Sequence, residues 1–227
     1  MEAKHAYKML ETVHQSLEGI SKVISGTGLL TSSIEHDGKA LLQSLVPDSW
    51  TEMWEGPSSP IPWLRALVRR TSALKKWVES VKNGSIFGDS LALGELFHPE
   101  TFLNALRQLS ARKASVPMEQ LKLISSFDGK FPGSIQLKGL LLQGCEFNKG
   151  GLVSPRPNSP ELTPLPTVFV AWVTLDSKDP YPPEKSVSIP IYHSLDREKF
   201  LCSLTLPNHG TSKERVISGV ALLLTGE

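Results

Sequence analysis

The residues best suited to chemistry are few, and their spacing does not favour it. A phosphate loop needs a glycine-rich turn ending in Gly-Lys-Ser or Gly-Lys-Thr, so that backbone amides and the lysine hold phosphates and the hydroxyl holds magnesium. The two Gly-Lys pairs, Gly38-Lys39-Ala40 and Gly129-Lys130-Phe131, both lack that hydroxyl. Gly26-Thr27-Gly28 follows a helical pattern instead of a strand, the wrong setting for a dinucleotide. Cys145 and Cys202 have no second cysteine or histidine at ligand spacing, and the six histidines are scattered. The two thiols therefore read as small hydrophobes buried in strands. His193-Ser194 comes with no Gly-x-Ser-x-Gly elbow and reads as an exposed strand-to-turn pair, while His98 before Pro99 reads as a helix start. No catalytic, cofactor-binding or metal-ligating residue is expected.

One charged cluster stands out. Arg65, Arg69, Arg70, Lys75 and Lys76 crowd a single predicted helix. They read either as a solvated face or as a candidate interaction surface. An acidic protein surface suits such a patch better than nucleic acid, because the whole sequence holds 24 basic against 23 acidic residues. No nucleic-acid partner is expected.

The elements that must position these residues fall into two kinds. Four of the five tryptophans precede Ala111, whereas eleven of the seventeen prolines follow Phe127. In the first part, Ala6, Met9, Leu10, Val13, Leu17, Ile20, Val23 and Ile24 recur at helical steps, with Gly26 and Gly28 as the stop. Ser32 and Glu35 have capping-box spacing and predict a second helix that Pro47 closes. A third runs from about Pro60 through Trp63, Leu67, Leu74 and Val81 to Asn83-Gly84, and a fourth from near Pro99 to Lys113.

After Pro117 the period changes. Residues 134–143, 167–175, 186–192, 200–206 and 215–224 are short apolar runs separated by turn signals and by a proline-rich loop over 155–166. Helices followed by five or six strands predict an α+β fold, an N-terminal helical segment of about four or more helices and then a small antiparallel, incomplete β-barrel. At 227 residues, 40% hydrophobic and 21% charged, the composition fits a soluble folded protein. No apolar run is long enough to span a membrane, residues 1–10 are no signal peptide, and two cysteines suit a reducing compartment. On its residues alone, the chain reads as a non-catalytic interaction module.

Several motifs together resemble the C-terminal region of dynein heavy chains. Pro47-Asp48-Ser49-Trp50 resembles the family's Pro-x-x-Trp, ahead of the tryptophan-bearing helix from Pro60 to Trp77. Phe97-His98-Pro99-Glu100-Thr101-Phe102-Leu103, running on to Ala111-Arg112-Lys113, resembles its Phe-x-Pro-x-x-Phe-Leu block ending in Ala-Arg-Lys. Gly139-Leu140-Leu141-Leu142-Gln143-Gly144-Cys145, Pro190-Ile191-Tyr192 and Gly219-Val220-Ala221-Leu222-Leu223 are similar to three strand segments of that region. The blocks keep family order from about Leu10 onward, and the likeness is strongest to the branch that drives retrograde intraflagellar transport.

The resemblance implies a three-part division. Residues 1–46 would be the last helices of the sixth ATPase module, 47–126 the helical part of the C-terminal domain, and 127–227 its β-barrel part. It implies a module without ATPase chemistry or cofactor of its own, lying on the upstream ATPase ring of the same heavy chain and modulating its motility. ATP and magnesium, microtubules, and intermediate and light chains would then belong to the parent motor, in cytoplasm, cytoskeleton and cilium. Met1 would mark a start within a much longer polypeptide, and the isolated fragment is expected to be monomeric. The runner-up is an independent adaptor that binds peptides at a sheet edge or through the proline-rich loop.

Overall fold

In the computed structural model, which describes residues 2–82, 90–129 and 131–224, the apolar periodicities become two sets of elements. The first helix, α1 (Glu2–Ile24), buries Ala6, Met9, Val13 and Ser16, the stripe that steps of three and four dictate. It stops where expected. Gly26 takes φ +71°, and the Thr27 and Gly28 N–H groups both donate to the Lys22 carbonyl.

The second helix, α2 (Ser32–Leu42), is capped one residue earlier than predicted. Thr31 Oγ1 accepts the Ile34 N–H, and Glu35 reaches Lys39 Nζ at 2.6 Å instead of returning to the cap. Ser44, at φ +59°, turns the chain before Pro47, so the proline is not the stop. A single turn, α3 (Asp48–Thr51), was not legible as a helix because four residues show no period. Asp37, 4% exposed, ties these pieces together by accepting from Ser16 Oγ at 2.6 Å and Ser49 Oγ at 3.1 Å.

The long helix α4 (Pro60–Lys82) turns Trp63, Leu67, Arg70 and Leu74 inward. Trp50 and Trp54 each sit 5.4 Å from Trp63, ring centre to ring centre. Gly56 is required there, since a Cβ would come within 2.7 Å of Trp54 and 2.9 Å of Trp63. The predicted stop at Asn83-Gly84 lies outside the described residues.

The rest is built on β1 (Ser90–Ala92), α5 (Pro99–Ala114), β2 (Leu121–Ser126), β3 (Ile135–Lys138), β4 (Leu140–Gln143), β5 (Glu146–Asn148), β6 (Gly151–Val153), β7 (Leu162–Pro164), β8 (Val168–Thr174), β9 (Ser186–Tyr192), β10 (Phe200–Pro207), α6 (Ser212–Ile217) and β11 (Ala221–Leu224). One sheet has the order β1-β3-β8-β2, a second β10-β9-β11-β4-β7, and β5-β6 forms a hairpin. The α+β class and the helices-then-strands order are as predicted. The sheets are mostly antiparallel, with parallel pairs at β1–β3 and β9–β11. Among the described residues they do not close into a barrel. β2 and β10 run alongside each other without a ladder, joined by Ser125 Oγ donating to the Thr205 carbonyl.

Three sequence readings change. The run 134–143 is two strands, not one, because Gly139 at φ +70° turns the chain from the first sheet into the second. The run 215–224 is not a strand throughout. Thr211 and Glu214 form a reciprocal capping box, which starts α6, and Gly219 at φ +60° ends that turn before β11. The proline-rich segment is not all loop, since β7 pairs with β4 through Leu162, Thr163 and Pro164. Pro164 is tolerated because β7 is the edge of its sheet.

Strands also begin before residue 127. β2 pairs with β8 along its length, although Lys122, Ser125 and Ser126 interrupt its apolar run. The second face of β8 is covered by α5, where Arg107 lies 5.0 Å over the Trp172 ring. The described residues form two units, 2–79 and 80–224, with the boundary in the last turn of α4.

Candidate interaction surfaces

The basic cluster is smaller than the sequence suggests. Arg65, Arg69, Lys75 and Lys76 are exposed on α4, with Arg65, Arg69 and Lys76 on one face at spacings of four and seven. Ile61 and Val68, 64% and 58% exposed, accompany them. Arg70 does not belong to that surface. It is 3% exposed, with its guanidinium 4.7 Å from the Trp54 ring centre. Its position on the inward stripe, seven residues after Trp63, carries the signal that separates it from Arg69.

A second surface is apolar. The second half of α1 and the face of α2 beside it enclose a groove of about 540 Å³ lined by Ile20, Val23, Ile24, Leu30, Ile34 and Leu41. Gly19 permits the close approach of the two helices, since Ile34 Cδ1 would lie 2.9 Å from a Cβ there. Around the groove, Ile24, Leu29 and Leu42 are 82%, 86% and 88% exposed. The α1 stripe thus divides, buried as far as Ser16 and largely uncovered beyond it.

The groups weighed for chemistry are held in structural roles. Gly38 and Lys39 lie inside α2, and Gly129-Lys130-Phe131 includes Lys130, which lies outside the described residues. Ser194 donates to Asp196 Oδ1 at 2.9 Å, just past the end of β9. His98 is the residue before Pro99, the first residue of α5. Cys145 lies in the bend between β4 and β5, not in a strand, and Cys202 lies in β10 half-buried. Burial pushes the Cys145 thiol up to about 11, with Arg215 pulling it the other way, and the Cys202 thiol up to about 12. Among the described residues no three His, Cys, Asp or Glu side chains converge as a metal set, and no helix is long and apolar enough to cross a membrane.

Two polar clusters were not singled out from the sequence. Glu146, 7% exposed, accepts from the Arg156 N–H at 3.0 Å and from Ser159 Oγ, while Arg156 Nε reaches its other oxygen at 3.1 Å. The Arg156 amide, then the Ser159 hydroxyl, hold its carboxyl below the usual range. Arg215, 3% exposed, donates to Asn208 Oδ1, the Leu152 carbonyl and Ser154 Oγ. Both clusters join residues far apart in sequence, and no local spacing announces them.

The described residues thus form an α+β protein with four N-terminal helical segments, two sheets that do not close on one another, and an apolar groove between α1 and α2. The sequence profile of the C-terminal domain of the dynein heavy chain matches residues 1–224, and the protein belongs to that family. It is 37% identical over 230 residues to cytoplasmic dynein 2 heavy chain 1 of Mus musculus and 38% identical over 230 residues to that of Tripneustes gratilla, in each case over all of this chain and 5% of the relative. To the same heavy chain of Chlamydomonas reinhardtii it is 32% identical, over 96% of this chain and 5% of the relative. The chain thus spans about 5% of the length of these curated relatives.

Proposed function

We propose that this protein is the non-catalytic C-terminal regulatory and structural module of a microtubule minus-end-directed motor, packing on the upstream ATPase ring of the same heavy chain. The observation that carries this is the groove between α1 and α2, with Ile24, Leu29 and Leu42 exposed beside it. Burying one such side chain is worth about 1.5–3 kcal/mol, so an apolar surface of this kind favours a covering partner. On this reading the covering partner is the upstream part of the same heavy chain, which the identity to dynein 2 heavy chains over the whole of this chain and 5% of their length supports.

On this reading ATP and magnesium are bound upstream, and this module holds no cofactor. The parent motor works with microtubules and with intermediate and light chains in retrograde intraflagellar transport and cilium assembly, in cytoplasm, cytoskeleton and cilium. Nucleic acid is no partner, and nothing inserts in a membrane. The module acts by favouring particular ring conformations. Contacts that differ by about 1–3 kcal/mol between two ring states shift their populations 5- to 150-fold, whereas equal contacts shift nothing. The adaptor reading is less well supported, because β7 and Glu146 hold the proline-rich segment against its own sheet.

The test is single-molecule motility and microtubule-stimulated ATPase of the intact motor and of one lacking residues 80–227, each shown to be folded. ATPase is expected to persist while force, run length or coupling changes. Unchanged values throughout would make the module a passive brace, and loss of ATPase in a folded ring would make it part of the chemistry.

A further inference from the structure

Three Ser/Thr-Pro dipeptides, Ser154-Pro155, Ser159-Pro160 and Thr163-Pro164, fall between the end of β6 and the end of β7. Serine or threonine followed by proline is the acceptor that proline-directed protein kinases recognise, and the three hydroxyls here stand in different settings. Ser159 Oγ donates to the buried Glu146 carboxylate, so a phosphate there would lose the donor and set like charges together. Thr163 Oγ1 donates to the Cys145 carbonyl at 3.1 Å within β7, where a phosphate would break the strand's contact.

Ser154 is different. It is exposed, and its Oγ is an acceptor, taking an N–H from Arg215 Nη1 at 3.3 Å. The guanidinium behind it belongs to a residue that is 3% exposed. Its Nε donates to Asn208 Oδ1 at 2.9 Å and its Nη2 to the Leu152 carbonyl at 3.2 Å. All of these acceptors are neutral, and among the described residues no carboxylate forms an ion pair with Arg215. The Glu214 carboxylate does approach Gly210 from the same side as Arg215 Nη2, but it forms no ion pair with that guanidinium and accepts the Thr211 N–H at 3.1 Å to complete the α6 cap. A buried cation whose hydrogen-bond acceptors are all neutral, with one N–H aimed at an exposed hydroxyl, is an arrangement that gains from a dianion at that hydroxyl.

We propose that Ser154 is a phosphorylation site for a proline-directed protein kinase, and that Arg215 receives the phosphate. In the transfer, the kinase's base takes the Ser154 hydroxyl proton and the Oγ–phosphorus bond forms. The bond from the γ-phosphorus to the β,γ-bridging oxygen of a nucleoside triphosphate breaks, and the nucleoside diphosphate leaves. The product fastens the start of the proline-rich segment to α6, beside the turn that leads into β11.

The experiment uses the 227-residue protein with Ser59→Ala, which removes the Ser/Thr-Pro dipeptide outside this segment. It is incubated with ATP, magnesium and a mitogen-activated-type kinase and mapped by mass spectrometry. The expected product carries one phosphate, on Ser154, and Ser154→Ala abolishes incorporation. Its Tm rises by about 2–4 °C, the shift expected of roughly one charge-assisted contact in a protein of this size. Phosphorus NMR places the second ionisation of the phosphate below the value of about 6 for phosphoserine in water. Arg215→Lys, which keeps the charge but loses the fork, returns that ionisation toward the free value. Should that variant not fold, the titration of the Arg215 protein decides alone. No incorporation, a phosphate on Ser159 or Thr163 instead, or a Ser154 phosphate that titrates as a free monoester would each overturn the proposal.

Discussion

Glu146 shows how one residue fixes a segment that the sequence reads as a proline-rich loop. Its carboxylate gathers the Arg156 amide and guanidinium and the Ser159 hydroxyl, and these donors hold its pKa below the usual range. A depressed carboxyl contributes stability above its unfolded value of about 4.3, and that contribution is lost as pH falls through the folded pKa. Glu146→Gln should therefore be less stable than the native protein at pH 7, with the gap narrowing below about pH 4. Urea unfolding at a series of pH values measures this, and a gap that stays constant into acid would contradict it. The carboxyls of Glu18, Glu35, Asp176 and Asp196 are also held low, but they are common to both proteins and cancel. The two thiols make a simpler case. With Cys145 raised to about 11 and Cys202 to about 12, very little thiolate is present at pH 8. Iodoacetamide should leave both unmodified in the folded protein and label both in denaturant. Labelling of the folded protein at the rate of free cysteine would show that the burial is not maintained.

At the scale of elements, α1 is one helix with two environments. Met9 and Val13 are 0% and 6% exposed, whereas Leu17 and Ile24 are 39% and 82% exposed. Most helical stability in proteins comes from packing of an amphipathic face and not from propensity, so protection follows packing. Amide exchange in the monomeric protein should be slow for residues 6–16 and faster for 17–24. Equal protection along the helix would mean that the second half is satisfied within the molecule. Replacing both Ile24 and Leu42 by glutamate should change folding stability by no more than about 0.5 kcal/mol, as for exposed sites generally. The same pair should suppress any self-association seen by sedimentation, because it charges the rim of the groove.

For the whole molecule, the division near residue 80 separates a tryptophan-centred helical unit from the unit of two sheets. The second has a continuous core of its own. Leu142, Leu152, Val168, Ile191, Leu204, Leu206 and Leu222 are all fully buried, at 0% exposure. Residues 80–227 alone should therefore fold, giving a β-rich circular dichroism spectrum and a cooperative thermal transition. A broad, non-cooperative melt would show that residues 2–79 are needed to complete that core. Leu142→Ala in the same fragment should cost about 2–5 kcal/mol, the range for emptying a filled core site.

The sequence by itself determined the α+β class, the long helices and the strands at 168–174, 186–192 and 200–207, because each carries its period or its turn signals within a few residues. Family membership was legible for the same reason, being written in short ordered blocks. The tertiary structure decided what covers Arg70, since its spacing from Trp63 places it on the inward stripe of α4 but only the fold brings the Trp54 ring against its guanidinium. It decided that Gly139 splits an apolar run between two sheets, because a strand's partners are non-local. It also brought Ser154 to Arg215 and Ser159 to Glu146. Buried polar groups must find partners wherever the backbone returns, and a linear reading cannot see where that is.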